Sequence, residues 1–172
     1  PINAVVIPTN CSQPLSVEGA TYVLEQDLEN AACILAANYT TLDCQGHAII
    51  HVPVSTKNPN PEGLTNITIR NCFSIPRVVD GIIINENVNN VLIENNTLEY
   101  GGTGITTSAN SVQNVTIKQN RITSMFVGIA ADPATQNVYL QDNFICFNKL
   151  DLWCYKPTQP LVFKNRCVFL VA

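Results

Sequence analysis

Residues 66–72 read NITIRNC, residues 90–96 NVLIENN, residues 114–120 NVTIKQN and residues 137–143 NVYLQDN. Laid over one another, these stretches put Ile69, Ile93, Ile117 and Leu140 at one register, with Leu42 before them and Phe163 after. From Ile69 onward the anchors are 24, 24, 23 and 23 residues apart, and the step from Leu42 is 27. A period of this length marks a solenoid, in which each unit packs on the next and a given register recurs about 4.8 Å further along.

Each register then acquires a physical role. The anchors and the residues two before them (Thr40, Ile67, Val91, Val115, Val138, Leu161) are nearly all β-branched or apolar, as an inward-facing strand requires. The residue after each anchor runs Asp43, Arg70, Glu94, Lys118, Gln141, Lys164, an outward column whose first four charges alternate in sign. Three residues before the anchor stand Asn66, Asn90, Asn114 and Asn137, and three after it Cys72, Asn96, Asn120 and Asn143. A side-chain amide carries both donor and acceptor, so stacked asparagines can serve the backbone groups that a corner leaves unpaired. A further strand recurs at Gly81-Ile82, Gly104-Ile105 and Gly128-Ile129, with Asp151-Leu152 last, and glycine there is expected to permit a bend.

No segment has 3.6-residue apolar periodicity of helical length. A β-sandwich would need turn signals every 8 to 12 residues or so, whereas here the whole coil repeats. The expected fold is all-β: a parallel β-helix, one solenoid domain over residues 1–172, with six to seven three-sided coils of 23–24 residues. Residues 1–37 form its opening strand and first coil, residues 38–172 its regular coils, and residues 51–64, rich in proline, a protruding loop.

The opening portion adds a resemblance. GATYVL at 19–24, CIL at 33–35 and TLDCQGHAI at 41–49 follow one another in an order that resembles the first coils of right-handed parallel β-helix proteins of the NosD-like and pectate-lyase-like superfamily. With the four repeats above, the likeness extends over nearly the whole chain. It implies the fold and its hand, and it leaves function open, because that superfamily includes polysaccharide lyases, hydrolases, epimerases, adhesins and surface proteins.

With 46% hydrophobic residues in 172, the chain can fill one continuous core. Its charged fraction is 13% and its net charge −4, without an acidic or basic run, so neither nucleic acid nor an anionic membrane surface is an expected partner. No stretch reaches the roughly 20 apolar residues of a membrane span, and Pro1 reads as a processed or trimmed end. Seven cysteines (Cys11, Cys33, Cys44, Cys72, Cys146, Cys154, Cys167) lack the paired spacing of a zinc site and read as disulfides. Cys11 with Cys33 would clamp the opening coil, and Cys44 with Cys72 would join one corner of neighbouring coils. Of the last three, either Cys146 with Cys154 or Cys154 with Cys167 would pair. Sequons at Asn10, Asn38, Asn66, Asn95 and Asn114 join the cysteines in pointing to an extracellular glycoprotein. Asn10, Asn38 and Asn95 are the expected glycan sites, since Asn66 and Asn114 would be tied into a corner column unless that corner is open.

The fold invites polysaccharide chemistry, but its groups are sparse. Glycoside hydrolysis needs two carboxyl groups roughly 5 to 9.5 Å apart. Asp43 and Glu94, with Arg70 between them, stand two coils or about 10 Å apart, and charge pairing accounts for the column. The Asp-Asp pair and Gly-His-Gly of the polygalacturonase pattern are absent, as is an aspartate cluster for the calcium of a pectate lyase. His47 falls in the Gly-His segment that the resemblance assigns to an early coil. His51 could join it and Cys44 around a metal, but with one methionine, Met125, and oxidised cysteines, neither metal nor cofactor is expected and no catalytic residue is assigned. The column Thr41, Thr68, Leu92, Thr116, Tyr139, Val162 is too broken for an ice-binding array. Tyr100, Phe126, Tyr139, Trp153 and Tyr155 do not share a register that would line up sugar-stacking rings.

Three function classes follow: a structural or assembly subunit, a carbohydrate-binding or adhesive module, and a polysaccharide-active enzyme. The first is favoured by the apolar stretches INAVVI at 2–7 and CVFLVA at 167–172, with no polar capping unit after the last coil. Two such ends predict head-to-tail self-association into an extracellular filament, with glycans as a further partner. Residues 2–7 would either donate a strand to the next copy or fold back over their own first coil as a cap.

Overall fold

A computed structural model describes residues 4–6, 11, 13–54, 63–74, 80–107, 111–154, 161–163, 165–167 and 170–171. The described strands are all parallel and build a β-solenoid. Among these residues there is no helix, and so none long and apolar enough to cross a membrane.

The first face is an eight-stranded sheet in sequence order: Ala4–Val6, Thr21–Val23, Thr41–Asp43, Leu64–Arg70, Val88–Glu94, Gln113–Lys118, Gln136–Gln141 and Leu161–Phe163. The second face carries Leu28–Ala32, Phe73–Ser74, Thr97–Glu99, Arg121–Thr123 and Phe144–Cys146, and the third Asp80–Ile84, Thr103–Thr107, Val127–Ala131, Leu150–Cys154 and Leu170–Val171. Ala48–Val54 runs from the second face into the third and joins them. Among the described residues, the turns that begin at Thr41, Leu64, Val88, Gln113 and Gln136 have strands on all three faces, which makes five complete coils there against the six to seven expected. The flanking turns contribute only short strands and single bridges such as Leu15 to Leu35 and Phe144 to Arg166.

The expected loop at 51–64 is narrower than its prolines suggest. Residues 51–54 lie in the strand Ala48–Val54, and residues 55–62 fall outside the described part. Val52 and Val54 are buried, and Pro53, which has no N–H to give, still accepts a bond at its carbonyl from the Leu35 N–H at 3.0 Å. Within residues 2–7, Ala4–Val6 pairs in parallel with Thr21–Val23 of its own chain, the fold-back arrangement.

Inside the coils the anchor column behaves as its apolar character requires. Leu42, Ile69, Ile93, Ile117 and Leu140 are fully buried and successive in register. At the last step Leu140 pairs with Val162, so the anchor there is Val162 and not Phe163, which pairs with Gln141. A step of one residue exchanges inward and outward positions, and side-chain type alone does not choose between two adjacent apolar residues. The second-face core column of Ile49, Leu98, Ile122 and Ile145 lies five residues beyond the anchors from Leu98 on, a spacing readable in the sequence but hidden by the shortness of the strands.

The corner between the first and second faces holds the stack together. Asn96, Asn120 and Asn143 are buried. The backbone N–H groups of Cys72, Asn96, Asn120 and Asn143 each donate to the Oδ1 of the next asparagine, ending on Asn165, at 2.9 Å. Each Nδ2 in turn donates back to a strand carbonyl of the preceding coil: Asn96 to Ile69, Asn120 to Ile93, Asn143 to Ile117 and Asn165 to Leu140. Before each ladder residue the chain enters the left-handed region, at Asn71, Asn95, Gln119 and Asp142, with φ of 57°, 53°, 56° and 52°. At the head of the same column the amide gives way to a disulfide, Cys44 to Cys72, with Cα atoms 4.7 Å apart.

Glycine at 81, 104 and 128 serves close approach and not a bend. A Cβ on Gly104 would stand 2.5 Å from the Gly128 carbonyl oxygen and 2.8 Å from Ile122 Cγ2, and one on Gly128 would stand 2.5 Å from the Asp151 carbonyl oxygen. In a denaturant titration, Gly104→Ala is expected to lower stability by about 1–3 kcal/mol through overpacking. Asn120→Ala, which strands the Asn96 N–H and the Ile93 carbonyl, is expected to cost about 3 kcal/mol or more. Unchanged midpoints for both would refute this account of the stack.

Candidate functional site

The polar surface of the first face is the part of the molecule best furnished for contact. Four of its eight strands bend at an asparagine in the left-handed region, Asn66, Asn90, Asn114 and Asn137, with φ of 58°, 54°, 54° and 55°. Asparagine tolerates this region better than other non-glycine residues because its short amide bonds locally. The bend breaks the alternation of the strand, so that Leu64 and Ile67 both point inward while Asn66 is exposed between them. Two shallow open depressions follow the bend. One of about 370 Å³ is lined by Asn66, Thr68, Asn90, Leu92, Asn114 and Thr116. The other, on the far side of the asparagines, is lined by Asn38, Thr65, Asn87, Asn89, Ser111 and Gln113. Amides and hydroxyls dominate both, and Tyr139 lies one coil beyond Thr116 in the same column, 37% exposed.

The charged column on this face is held in pairs. Arg70 Nε lies 2.9 Å from Asp43 Oδ2, and Lys118 Nζ 2.9 Å from Glu94 Oε2. On the second face Arg121 Nε lies 3.0 Å from Glu99 Oε1, which also accepts from the Thr123 hydroxyl. Asp43 and Glu94, the carboxylates closest to a hydrolytic spacing, are therefore each engaged by a cation on an adjoining coil. Burial pushes the Asp43 carboxyl up. The bonds from the Asn71 side chain and the Gln45 N–H, together with Arg70, outweigh that and hold it below the usual carboxylate range. Asp27 also lies low, because its Oδ1 accepts from the Ala48 N–H at 2.9 Å and from His47 Nδ1 at 3.1 Å.

His47 is thus a half-buried corner residue tied to the exposed Asp27. Cys44, its expected companion around a metal, is committed to Cys72 and offers no thiolate. Among the described residues no three of His, Cys, Asp and Glu converge as a metal set would.

The cysteines form three bonds, Cys11 to Cys33, Cys44 to Cys72 and Cys146 to Cys167. The third replaces both pairings expected for Cys154. Cys146 ends a second-face strand, and the bridge from Phe144 to Arg166 brings Cys167 to the same corner one coil later, with Cα atoms 4.9 Å apart. Cys154 lies on the third face in register with Ala131, away from that corner, and stays outside the three bonds.

The sequon asparagines differ in how their side chains are engaged. Asn66 is exposed, so its corner is open. Asn95 is exposed too, but its Nδ2, the atom a glycan would occupy, donates to Asn71 Oδ1 at 2.7 Å. Asn114 is engaged at both amide atoms, donating to Asn89 and accepting from Asn137. Asn38 is half-buried and accepts from the Thr65 N–H, and Asn10 lies outside the described residues.

Because Asp43 sits lower in the folded chain, its contribution to stability is present above the ordinary carboxylate pKa of about 3.9 and is lost as pH falls through the folded value. Asp43→Asn should therefore flatten the acid limb of the stability curve below about pH 4, measured by thermal melts across pH. An acid limb identical to that of the parent would assign the acid sensitivity to other groups.

No curated protein and no solved structure matches this chain. The family model described as "Right handed beta helix region" matches residues 29–145, which reach from the Leu28–Ala32 strand into the fifth complete coil, as far as its Phe144–Cys146 strand. The parallel three-sided stack and this match together place the chain in the right-handed β-helix family.

Proposed function

We propose that this chain is a secreted structural subunit whose solenoids stack end to end. The observation that carries the reading is the eight-stranded first sheet. It is parallel throughout and is bounded by two three-residue strands of apolar sequence, Ala4–Val6 and Leu161–Phe163, each with a partner on one side only among the described residues. A second copy translated along the solenoid axis would lay one such edge beside the other in the same sense, and unpaired strand edges are ready templates for pairing. The contact joins unlike surfaces, so it propagates as an open filament unless rotation closes it. Since Ala4–Val6 is already paired within its own chain, the geometry favours coil-on-coil stacking over strand donation. Three disulfides support an oxidising, extracellular setting, and the open position of Asn66 supports glycosylation there. Light scattering and electron microscopy at micromolar concentration should show particles that grow in length at constant width. A strictly monomeric particle would sink the proposal.

A second reading, a glycan-binding surface, is favoured by the amide-lined depressions on the first face. Their functional groups recur at the ~4.8 Å coil spacing, which suits a ligand that is itself a repeating chain. On a glycan array, binding that falls at least tenfold in Asn90→Ala with Thr116→Ala, without turnover of the bound polysaccharide, would support it. Absence of any array signal would count against it.

A further inference from the structure

We propose that the stacking is electrostatically polarised: the acidic first coil of one copy docks on the basic last coil of the next. The proposal rests on the end-to-end reading above and names the chemistry that gives it direction.

The starting observation is the order of charges along the chain. Before Lys57 the sequence holds Glu18, Glu25, Asp27, Glu29 and Asp43 and no Lys or Arg. After Asp151 it holds Lys156, Lys164 and Arg166 and no Asp or Glu. In a globular fold such an asymmetry would be scattered over the surface. In a solenoid, sequence order is order along the axis, so the asymmetry becomes a separation of charge between the two ends.

The described side chains fit this polarity. Glu18 and Glu25 are exposed at the two corners that flank Thr21–Val23, and Asp27, also exposed, is kept ionised by the Ala48 N–H and His47. These corners are held in place: the Gly19 N–H donates to the Asn38 carbonyl at 3.0 Å, and the Leu24 N–H to the Asp43 carbonyl at 3.0 Å. At the opposite end Arg166 is exposed, while its backbone is fixed by bonds to Asn143 and Ile145 at 2.9 and 3.2 Å. Lys149, exposed on the fifth coil, lies 4.3 Å from the Phe126 ring centroid and adds positive charge on the same side. In the middle of the solenoid the carboxylates Asp43, Glu94 and Glu99 are paired with Arg70, Lys118 and Arg121, and from Lys57 to Asp151 acidic and basic residues are interspersed, without the one-signed runs of the two ends.

Such a dipole selects among the possible contacts. Head-to-head and tail-to-tail encounters bring like charges together and are opposed, whereas head-to-tail encounters are attracted and pre-oriented along the axis that continues the first sheet. The charged groups are exposed at the rim, so their effect is on association rate and direction and is screened by salt. The Debye length falls from ~30 Å at about 0.01 M to ~3 Å at about 1 M.

The test uses the full disulfide-bonded chain and two charge-reversed variants, one with Glu18→Lys, Glu25→Lys and Glu29→Lys, the other with Lys156→Glu, Lys164→Glu and Arg166→Glu. Sedimentation of the parent should show assembly weakened on the order of tenfold or more across that salt range. At low salt each variant alone should stay small, because its two ends now carry like charge. An equimolar mixture should assemble, because the reversed head of one meets the reversed tail of the other. Restoration on mixing also shows that both variants are folded. If the parent assembles but neither salt nor the reversals change it, the polarised contact is wrong while end-to-end stacking stands. If the parent is monomeric at every salt concentration, both fall. If each variant assembles alone as the parent does, or the mixture stays small while the parent grows, the charge assignment is overturned.

Discussion

A buried backbone N–H at a chain corner has no strand partner, and in this molecule it is the asparagine amide of the next coil that accepts it. That single bond, repeated from Cys72 to Asn165, couples each complete coil from the second onward to the next at a point where β-pairing is interrupted. The same amide donates backward to a strand carbonyl, so one side chain satisfies both a donor and an acceptor of the preceding coil. An unsatisfied buried donor costs about 1–3 kcal/mol, and an isolated coil would carry several. The coil is therefore stable only as a member of a stack, which is the physical meaning of the repeat.

From this follows the distribution of chemistry around the molecule. The interior is committed to aliphatic columns and the corners to amides, disulfides and closely approaching glycines. Little is left for function except the outward columns of the faces and the two ends. On the first face those columns form paired charges and amide-lined depressions. Salt bridges such as Arg70 with Asp43 contribute at most about 1 kcal/mol each at half-exposed positions. Their larger consequence is to fix register between adjacent coils and to occupy carboxylates that would otherwise be available for acid–base chemistry.

The disulfides repeat the logic of the ladder. Cys44 to Cys72 stands at the head of the asparagine column, Cys11 to Cys33 joins the two partial turns before Thr41, and Cys146 to Cys167 ties the fifth complete coil to the partial turn that follows it. Covalent bonds thus appear toward both ends of the described stack, with the asparagine ladder running between them.

Read alone, the sequence determined the period, the inward columns at Ile69, Ile93 and Ile117, the alternating charges after them, the asparagine corners and two of the three disulfides. All of these depend on residues at a constant spacing, and a solenoid turns constant spacing directly into contact. Where the spacing drifts, only the tertiary structure decided. Leu140 pairs with Val162 at a step of 22, and Asn165 joins the ladder at the same step. Cys146 finds Cys167 because the chain returns to the same corner one coil later, a closure that neither residue type nor local pattern encodes. The same holds for Gly104, whose missing Cβ makes room for a carbonyl of the next coil, and for Asn66, whose corner is open to solvent. A pattern of residue types records which side chains recur together, but close approach and exposure belong to the distances between coils, and those exist only once the stack has formed.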